Sequence, residues 1–351
     1  MNTTKAIIFD DVDLVRLGDV TLPECKPNQI LAKTIYTFTS PGTELRVLGG
    51  HYGVAGHYPV VPGYAAISEV IYCGADVKNF RVGDLISCRN PDQPFADCEI
   101  MWGGQAAKHV YCTEGEDAPV LLPGGVKELL PYTIAEVAAI SLRGMLSARP
   151  VEGETALVIG AGLIGLFSAM FFIHAGCRVV VCDLDASRLK EAEKLGCYAA
   201  VNLSEPNSEE RLKAFGNCGY DIVAEASGSI PGAKLACRML RHKERAYYRL
   251  SGDEMLQVNF NEKTWPRLVF QANYVNEAPV NPHDFIPGEG VLILTPQDRN
   301  IEDRQRVIEL IRRGEIDPAP FLNTVCKPEQ MPEYYRKLQN KEIFSLICDW
   351  R

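Results

Sequence analysis

The chain has 351 residues, of which 46% are hydrophobic and 23% charged, and its formal net charge is −9. This length predicts two domains of roughly 150 residues, each with its own core. The negative charge and the lack of a Lys/Arg-rich run argue against nucleic acid as a partner. No run approaches the roughly 18 apolar residues of a membrane span, and the start resembles no signal peptide, so we expect a cytoplasmic protein without membrane contact.

The first 148 residues have the pattern of a β-rich unit. Pro-Gly turns separate short runs typical of strands, which are Lys5–Phe9, Ile30–Tyr36, Ala66–Cys73, Asp84–Cys88 and Ala107–Cys112. The period becomes helical over Ile134–Ala148, and Arg149–Glu154 has the composition of a surface turn. We therefore predict a domain boundary at this turn.

From Thr155 onward strands and helices alternate, which predicts a parallel sheet wound with helices on both faces. The apolar run Gly290–Thr295 is interpreted as its last strand, and the tail, with a helix over Ile301–Arg313 and a strand over Ile343–Cys348, is expected to return to the first domain. The earlier strands of the predicted sheet are Ala156–Ile159, Arg178–Asp183, Ala199–Asn202, Asp221–Ala226 and Arg245–Leu250.

A glycine motif opens this second region. Gly160, Gly162 and Gly165 form a G-x-G-x-x-G that directly follows a predicted strand and opens an apolar helix. In this context the first glycine permits a tight turn, the second admits a pyrophosphate and the third allows close helix packing. The N-terminus of this helix, predicted over Leu166–Ile173, offers free N–H groups to phosphates, and Leu163 and Ile164 are predicted cofactor contacts. The pattern predicts a Rossmann dinucleotide site.

An acidic residue follows at the spacing that ribose recognition requires. Asp183 ends the next strand, and its carboxylate is expected to accept hydrogen bonds from the adenosine ribose. Because this charge would repel a 2′-phosphate, we expect NAD as the cofactor. Arg188 either lies along the adenosine or is a solvated helix residue, and Asp185 is expected to cap the helix. Ser227 is a further predicted cofactor contact.

The chain resembles the medium-chain dehydrogenase/reductase superfamily, the relatives of zinc alcohol, sorbitol and threonine dehydrogenases. Besides the glycine motif, the segments similar to this family are Tyr58–Tyr64, Val82–Asp84, Trp102–Ala107, Asp183–Leu189, Ala192–Gly196 and Tyr220–Gly228. The resemblance implies an α/β protein with a GroES-like β-rich catalytic domain over 1–148 and 298–351 and a doubly wound Rossmann NAD-binding domain over 149–297. It further implies a small-molecule substrate in the cleft and a homodimer or homotetramer.

The zinc ligands of the family are not matched. The family's Cys-Gly-Thr-Asp-like turn is Ser40-Pro-Gly-Thr-Glu44, its ligand pair His-Glu is Tyr64-Ala65, and its last ligand region is Ser141-Leu-Arg143. The twelve cysteines include no Cys-x-x-Cys pair, and the lobe for structural zinc retains only Cys88, Cys98 and Cys112. We expect no metal, and the chain resembles a zinc-lacking branch that includes bacteriochlorophyllide hydroxyethyl dehydrogenases.

Without zinc, other groups must stabilise the oxygen of the reacting alcohol. The candidates are Thr43, which matches the family's relay hydroxyl, and Tyr64, which stands at the position of a ligand histidine. Arg143 is the predicted cation that favours the Tyr64 phenolate, and Glu44 is a further candidate whose role could also be structural. Two loop histidines, His51 and His57, could relay a proton or be solvated.

These features predict a zinc-independent NAD(H)-dependent oxidoreductase acting on a secondary alcohol or ketone, such as a polyol, a sugar or a hydroxyalkyl group. A quinone or enoyl reductase is an alternative that also needs no zinc, although many such relatives prefer NADPH. A redox sensor that binds NAD(H) without catalysis is the alternative from another class. The substrate and the direction of the reaction are left open.

Overall fold

The structure, a computed structural model, describes residues 3–51, 57–216, 219–241, 247–249, 255–257, 265–274, 291–296 and 299–351. The chain forms two compact units. The first comprises Met1–Leu142 and Asp298–Arg351, and the second comprises Arg143–Gln297.

Strands predominate in the first unit, whereas strands and helices alternate along the second. The helices are α1 (Pro41–Leu48), α2 (Ala135–Ala148), α3 (Leu163–His174), α4 (Ala186–Lys194), α5 (Ser208–Gly216), α6 (Ile230–Met239), α7 (Ile301–Arg312) and α8 (Met331–Gln339). The strands are β1 (Thr3–Asp11), β2 (Leu14–Thr21), β3 (Gln29–Thr39), β4 (Val60–Val61), β5 (Ala66–Cys73), β6 (Leu85–Cys88), β7 (Glu99–Ile100), β8 (Lys108–Cys112), β9 (Val120–Leu121), β10 (Thr155–Ile159), β11 (Arg178–Asp183), β12 (Ala199–Asn202), β13 (Ile222–Glu225), β14 (Tyr247–Arg249), β15 (Met255–Gln257), β16 (Arg267–Phe270), β17 (Leu292–Leu294), β18 (Val325–Cys326) and β19 (Leu346–Asp349).

Two sheets form the β-rich first unit. One has the strand order β2-β1-β4-β7, and the other has the order β18-β19-β3-β5-β6-β9, with β8 paired to β3. Strand β19 runs antiparallel to β3, with Cys348 opposite Thr37. The last strand of the chain is thereby part of the sheet that leads into α1, which follows β3 directly.

The core of the first unit joins α1 and α8 to these strands. Phe9 of β1 and Tyr335 of α8 meet edge to face, with ring centroids 5.1 Å apart. Val47 and Leu48 of α1 are completely buried in the same cluster. Burial of several large apolar side chains at about 1.5–3 kcal/mol each holds α1 in place. The first turn of α1 is therefore held in a fixed position by this core.

The second unit is a parallel six-stranded sheet with the order β12-β11-β10-β13-β16-β17. The predicted doubly wound α/β architecture is confirmed. Helix α3, which is apolar around its whole circumference, is almost entirely buried, as expected for a helix covered by a sheet and neighbouring helices. Among the described residues, no helix has the length and apolar character needed to cross a bilayer.

One predicted strand was wrong. The run over 245–250 was assigned to the parallel sheet, but its residues Tyr247–Arg249 pair antiparallel with β15, and the rest of that run lies outside the described residues. The sheet continues instead from β13 to β16, in which Leu268 and Val269 are completely buried. A parallel strand covered on both faces needs such apolar residues, and four residues give too short a pattern to recognise.

Candidate active site

The glycine loop after β10 has the geometry of a phosphate cradle. Gly160 has φ +96°, and a Cβ at this position would lie 2.9 Å from the backbone of Ser227. A Cβ at Gly165 would collide with the carbonyl oxygen of Gly160. At Gly162 the nearest atom to a Cβ would be Nη1 of Arg188, 3.8 Å away, so this face of the loop is open. Gly160 thus permits the turn, Gly162 leaves the loop open to a ligand, and Gly165 allows α3 to pack closely against the loop.

Helix α3 begins at Leu163 directly behind this loop, with Gly162 as its N-cap and no capping side chain. The N–H groups at the start of α3 precede its first hydrogen bond, which runs from the N–H of Leu166 to the carbonyl of Gly162. Together with the positive end of the helix dipole they form a site for an anion.

Asp183 lies beside this loop at the end of β11. Its carboxylate accepts hydrogen bonds from the backbone N–H of Ala161 at 2.6 Å and of Asp185 at 2.9 Å. Asp185 caps α4 by accepting from the N–H of Ser187 at 2.8 Å, and hydrogen bonds from Ser187 lower its pKa. Arg188 is 3.7 Å from Asp185 and reaches toward the open face of Gly162.

A cavity of about 290 Å³ extends from the glycine loop. Gly160, Asp183 and Ser227 belong to its lining, so the structure brings these predicted cofactor residues together. Glu209 and Arg238 also line it and form an ion pair of 2.7 Å with each other. The loop, the helix N-terminus and the acidic end of β11 fit the pyrophosphate and the adenosine ribose of a dinucleotide.

A second group of predicted residues meets in the first unit, around Tyr64. Its side chain is 6% exposed, and its hydroxyl donates to Oγ of Ser40 at 2.7 Å. The Thr43 side chain, in the first turn of α1, is a further hydrogen-bonding group that lowers the pKa of Tyr64. Trp102 packs edge-on against the ring, with centroids 5.7 Å apart. The Tyr64 hydroxyl thus has Ser40 and Thr43 as neighbours, while the catalytic roles predicted for Tyr64 and Thr43 stay predictions.

The cation that faces Tyr64 is Arg299. Its guanidinium carbon lies 5.1 Å from the centre of the Tyr64 ring. Burial raises the pKa of Tyr64 above its ordinary value, while the Arg299 charge and the hydrogen bonds with Ser40 and Thr43 counteract part of this increase and the Glu44 charge adds to it. The sequence analysis missed Arg299 because it is remote from Tyr64 along the chain and belongs to no family motif.

Arg299 is one of three arginines around a buried carboxylate. Glu136 of α2 binds the Arg299 guanidinium through two nitrogens, and its other oxygen lies 3.4 Å from Arg304. Arg89 approaches Glu136 at 3.5 Å and Asp117 at 3.0 Å. Arg304 also donates to the carbonyls of Glu116 and Ala118. These contacts hold the Arg299 guanidinium in place beside Tyr64.

Glu44, the neighbour of Thr43, belongs to a buried hydrogen-bond network. Its carboxyl accepts from the N–H of Ser40 at 2.8 Å, from Nε2 of Gln105 at 3.3 Å and from the Tyr335 hydroxyl at 2.5 Å. The side chain is completely buried, and this burial raises its pKa to about 7. These partners indicate a structural role in holding the first turn of α1.

The remaining predicted residues lie apart from this group. Arg143 belongs to the second unit, and its carbonyl accepts from Ser147 within α2. His51 and His57 are exposed and flank residues 52–56, which the structure does not describe. Their predicted roles stay predictions.

The donor set around Tyr64 does not suit zinc. Pro41 has no metal-binding atom, and Ser40, Thr43 and Tyr64 offer only hydroxyls, whereas protein zinc sites use Cys, His and carboxylates. Across the described residues, no three His, Cys, Asp or Glu side chains lie close enough to hold a metal ion. Cys88 is a buried thiol whose pKa burial raises to about 12, so it remains protonated.

Comparison with known proteins finds similarity to dehydrogenases. The family model described as "Zinc-binding dehydrogenase" matches residues 164–260. An L-threonine 3-dehydrogenase of Proteus mirabilis is 31% identical over 250 residues, which is 65% of this chain and 72% of that protein. The L-threonine 3-dehydrogenase of Vibrio cholerae is 26% identical over 95% of both chains. The solved structure of benzyl alcohol dehydrogenase from Acinetobacter calcoaceticus has a TM-score of 0.82 at 13% identity, with 100% of both chains covered.

The chain belongs to the medium-chain dehydrogenase/reductase superfamily. The GroES-like and Rossmann architecture inferred from sequence is confirmed by this membership. The chain is an oxidoreductase of the alcohol dehydrogenase type, and its cofactor is a nicotinamide dinucleotide. Within the superfamily, the hydroxyl cluster at Tyr64 is the feature that departs from the zinc-binding pattern.

Proposed function

We propose that this dehydrogenase works without zinc and transfers a hydride between NAD(H) and a secondary alcohol or ketone, such as a polyol, a sugar or a hydroxyalkyl group. The observation that supports this most strongly is the contact of Tyr64 with Arg299, Ser40 and Thr43 at the position of a family zinc ligand. A phenol among hydroxyls and guanidinium groups can hold and release a proton, but it cannot form a zinc site with its neighbours.

When bound, the nicotinamide supplies or accepts the hydride. Tyr64 handles the proton: in ketone reduction its neutral hydroxyl donates to the forming alkoxide, and in alcohol oxidation its phenolate accepts the proton of the alcohol. Ser40 and Thr43 then exchange this proton with Tyr64 through their hydrogen bonds. Because burial raises the pKa of Tyr64, the neutral donor predominates at neutral pH, which favours the reductive direction there.

Arg299 takes the electrostatic role that a metal has in zinc relatives. Its positive charge stabilises both the Tyr64 phenolate and an alkoxide beside it, and burial strengthens this interaction because the local dielectric is low. Glu136 holds the Arg299 guanidinium in this position by accepting hydrogen bonds from two of its nitrogens.

The preference for NAD over NADP is supported by two carboxylates in the cavity of the second unit. Asp183 and Glu209 both line it and would repel a 2′-phosphate. Arg238, which could otherwise bind such a phosphate, is paired with Glu209. Arg188, at the open face of Gly162, suits a pyrophosphate.

The test combines three measurements on one preparation. Zinc content by mass spectrometry is expected below about 0.1 per chain, since a site lacking His and Cys ligands cannot retain the ion. NADH should bind more tightly than NADPH in fluorescence titrations. A panel of secondary alcohols and ketones, with L-threonine and benzyl alcohol included, should give turnover that Tyr64→Phe abolishes.

Each of these measurements can contradict a different part of the proposed function. Stoichiometric zinc would contradict the metal-free mechanism, and a preference for NADPH would contradict the role of Asp183 and favour a quinone or enoyl reductase. Binding of NADH without turnover on the panel would favour a redox sensor. The homo-oligomeric state and the cytoplasmic location stay predictions.

A further inference from the structure

A buried carboxylate stands behind the cofactor cavity of the second unit. Glu225 ends β13, the strand between β10 and β16, and its side chain is completely inaccessible. It accepts hydrogen bonds from the N–H of Ser227 at 2.9 Å and of Gly228 at 3.2 Å, and from the hydroxyls of Ser227 and Tyr274. The proposed mechanism makes no use of this residue.

Three of these four donors, on Ser227 and Gly228, belong to the turn that forms one wall of the cavity. Ser227 and Ser229 both line it, and their hydroxyls are 2.9 Å apart. Ser229 in turn caps α6 by accepting from the N–H of Gly232 at 3.0 Å. On its other side the turn packs closely against the glycine loop. A Cβ at Gly160 would lie only 2.9 Å from the backbone of Ser227. The position of this turn therefore fixes the space beside the glycine loop.

The chemistry of the site requires a carboxylate. An ionised carboxylate is an acceptor with about four lone-pair directions, which matches the four donors around Glu225, whereas an amide of the same shape must turn two N–H groups toward some of them. The fourth donor comes from outside the turn: burial and the neighbouring Glu225 raise the pKa of Tyr274, so its hydroxyl keeps its proton and donates.

We propose that Glu225 is a positioning residue for the nicotinamide dinucleotide: it holds the Ser227–Ser229 turn against the phosphate loop, and the Tyr274 hydroxyl completes its hydrogen bonds. The inference rests on the assignment of this cavity to the cofactor under Proposed function. It is independent of the Tyr64 chemistry and of the question of zinc.

The chain offers a matched control at the other end of the same strand. Asp221, directly before β13, accepts from the N–H and the hydroxyl of Thr155, both at 2.9 Å, and pairs with Arg241 at 2.9 Å. Like Glu225 it is a carboxylate that fixes backbone beside the sheet, but it is remote from the cavity lining. A merely structural carboxylate should behave as Asp221 does.

The experiment is a fluorescence titration of NADH with the full chain and three variants, with thermal unfolding measured in parallel. Glu225→Gln and Tyr274→Phe are expected to raise the Kd for NADH, the first by about tenfold and the second by less, since Gln turns an N–H toward donors of the turn, whereas Phe removes one of the four donors to Glu225. Asp221→Asn is expected to lower the unfolding temperature and to leave the Kd for NADH unchanged.

Two results would overturn the proposal: an unchanged Kd in both Glu225→Gln and Tyr274→Phe, or an equal rise in Kd in Asp221→Asn. If Glu225→Gln does not fold, Tyr274→Phe decides alone, because it removes a single hydroxyl. If the unchanged chain binds NADPH tightly and does not bind NADH, the result contradicts the NAD preference and not the role of Glu225. The same variants are then compared in a titration with NADPH.

Discussion

The guanidinium of Arg299 lies over the ring of Tyr64, while the hydroxyl at the edge of the same ring donates to Ser40. A cation above the ring and hydroxyls at its polar end both stabilise the phenolate. Burial opposes them and keeps the pKa of Tyr64 above its ordinary value. The balance of these effects sets the pH at which the site can take up a proton.

Replacement of Tyr64 tests the proton transfer directly. Tyr64→Phe is expected to lower kcat at least about 100-fold in both directions, because the group that exchanges the proton is lost. The Kd for NADH should not change. Tyr58→Phe is the matched control, since that hydroxyl donates to the carbonyl of Val47 and is expected to affect stability by only about 1 kcal/mol. Retention of kcat within twofold in Tyr64→Phe would refute the assignment.

Removal of the cation should move the pH profile of alcohol oxidation. Because the Arg299 charge lowers the pKa of Tyr64, Arg299→Met is expected to raise that pKa further and to shift the rising limb of the oxidation rate to higher pH. Ketone reduction at neutral pH should be affected less, since the neutral phenol is already its donor. Arg299→Lys retains a charge and should shift the limb by a smaller amount. Superimposable profiles for all three proteins would argue against the Arg299 role.

The glycine loop separates cofactor binding from folding. Gly162→Ala places a methyl group on the open face, with no atom nearer than 3.8 Å, so the free energy of unfolding should change by less than about 1 kcal/mol while the Kd for NADH rises at least about tenfold. Gly165→Ala forces a methyl against the carbonyl of Gly160 and should cost about 1–3 kcal/mol of stability. Denaturant unfolding and NADH titration of the two variants distinguish these effects. Equal NADH affinity in Gly162→Ala and the unchanged chain would contradict the assignment of the pyrophosphate to the face of the loop at Gly162.

Glu44 predicts a pH dependence of stability. Its pKa is raised from 4.5 to about 7 in the folded chain, so folding favours the protonated form. The stability that this carboxyl contributes is complete below pH 4.5 and is lost as the pH rises through 7, a difference of about 3 kcal/mol. Glu44→Gln, which mimics the protonated form, should therefore gain stability relative to the unchanged chain between pH 5 and 8.

The control for that prediction is Glu309→Gln. Glu309 is exposed on α7, and hydrogen bonds from Arg312 and then Arg313 lower its pKa to about 2. Its titration lies below the tested range, so this variant should keep the pH dependence of the unchanged chain. Denaturant unfolding at several pH values makes the comparison. A constant difference between Glu44→Gln and the unchanged chain would show that Glu44 is ionised throughout.

The sequence was most informative where structure is local. The turn at Gly160, the start of α3 and the carboxylate of Asp183 depend on residues that are neighbours along the chain or one strand–helix unit apart, and their chemistry follows from glycine and helix geometry. The contact between Tyr64 and Arg299 depends instead on packing of segments far apart in sequence, for which no local pattern exists.

Glu225 could be predicted only in part from the sequence. An acidic residue at the end of the apolar run Ile222–Ala224 is a recognisable signal, because carboxylates are rarely buried without partners. Its partner Tyr274 follows β16, a four-residue strand that the sequence analysis did not recognise. The pattern could have indicated a buried acid, but the donors that satisfy it become visible only in the folded sheet.

The pairing of β19 with β3 has a consequence for synthesis on the ribosome. The turn that holds Thr43 receives support from Tyr335, through Glu44, and from the strand Leu346–Asp349, and both Tyr335 and this strand leave the ribosome after the second unit. The residues of the second unit are contiguous and emerge before them. The Rossmann unit can therefore fold and select its dinucleotide while the turn around Tyr64 still lacks Arg299, so a nascent chain acquires its cofactor site before its proton-transfer site.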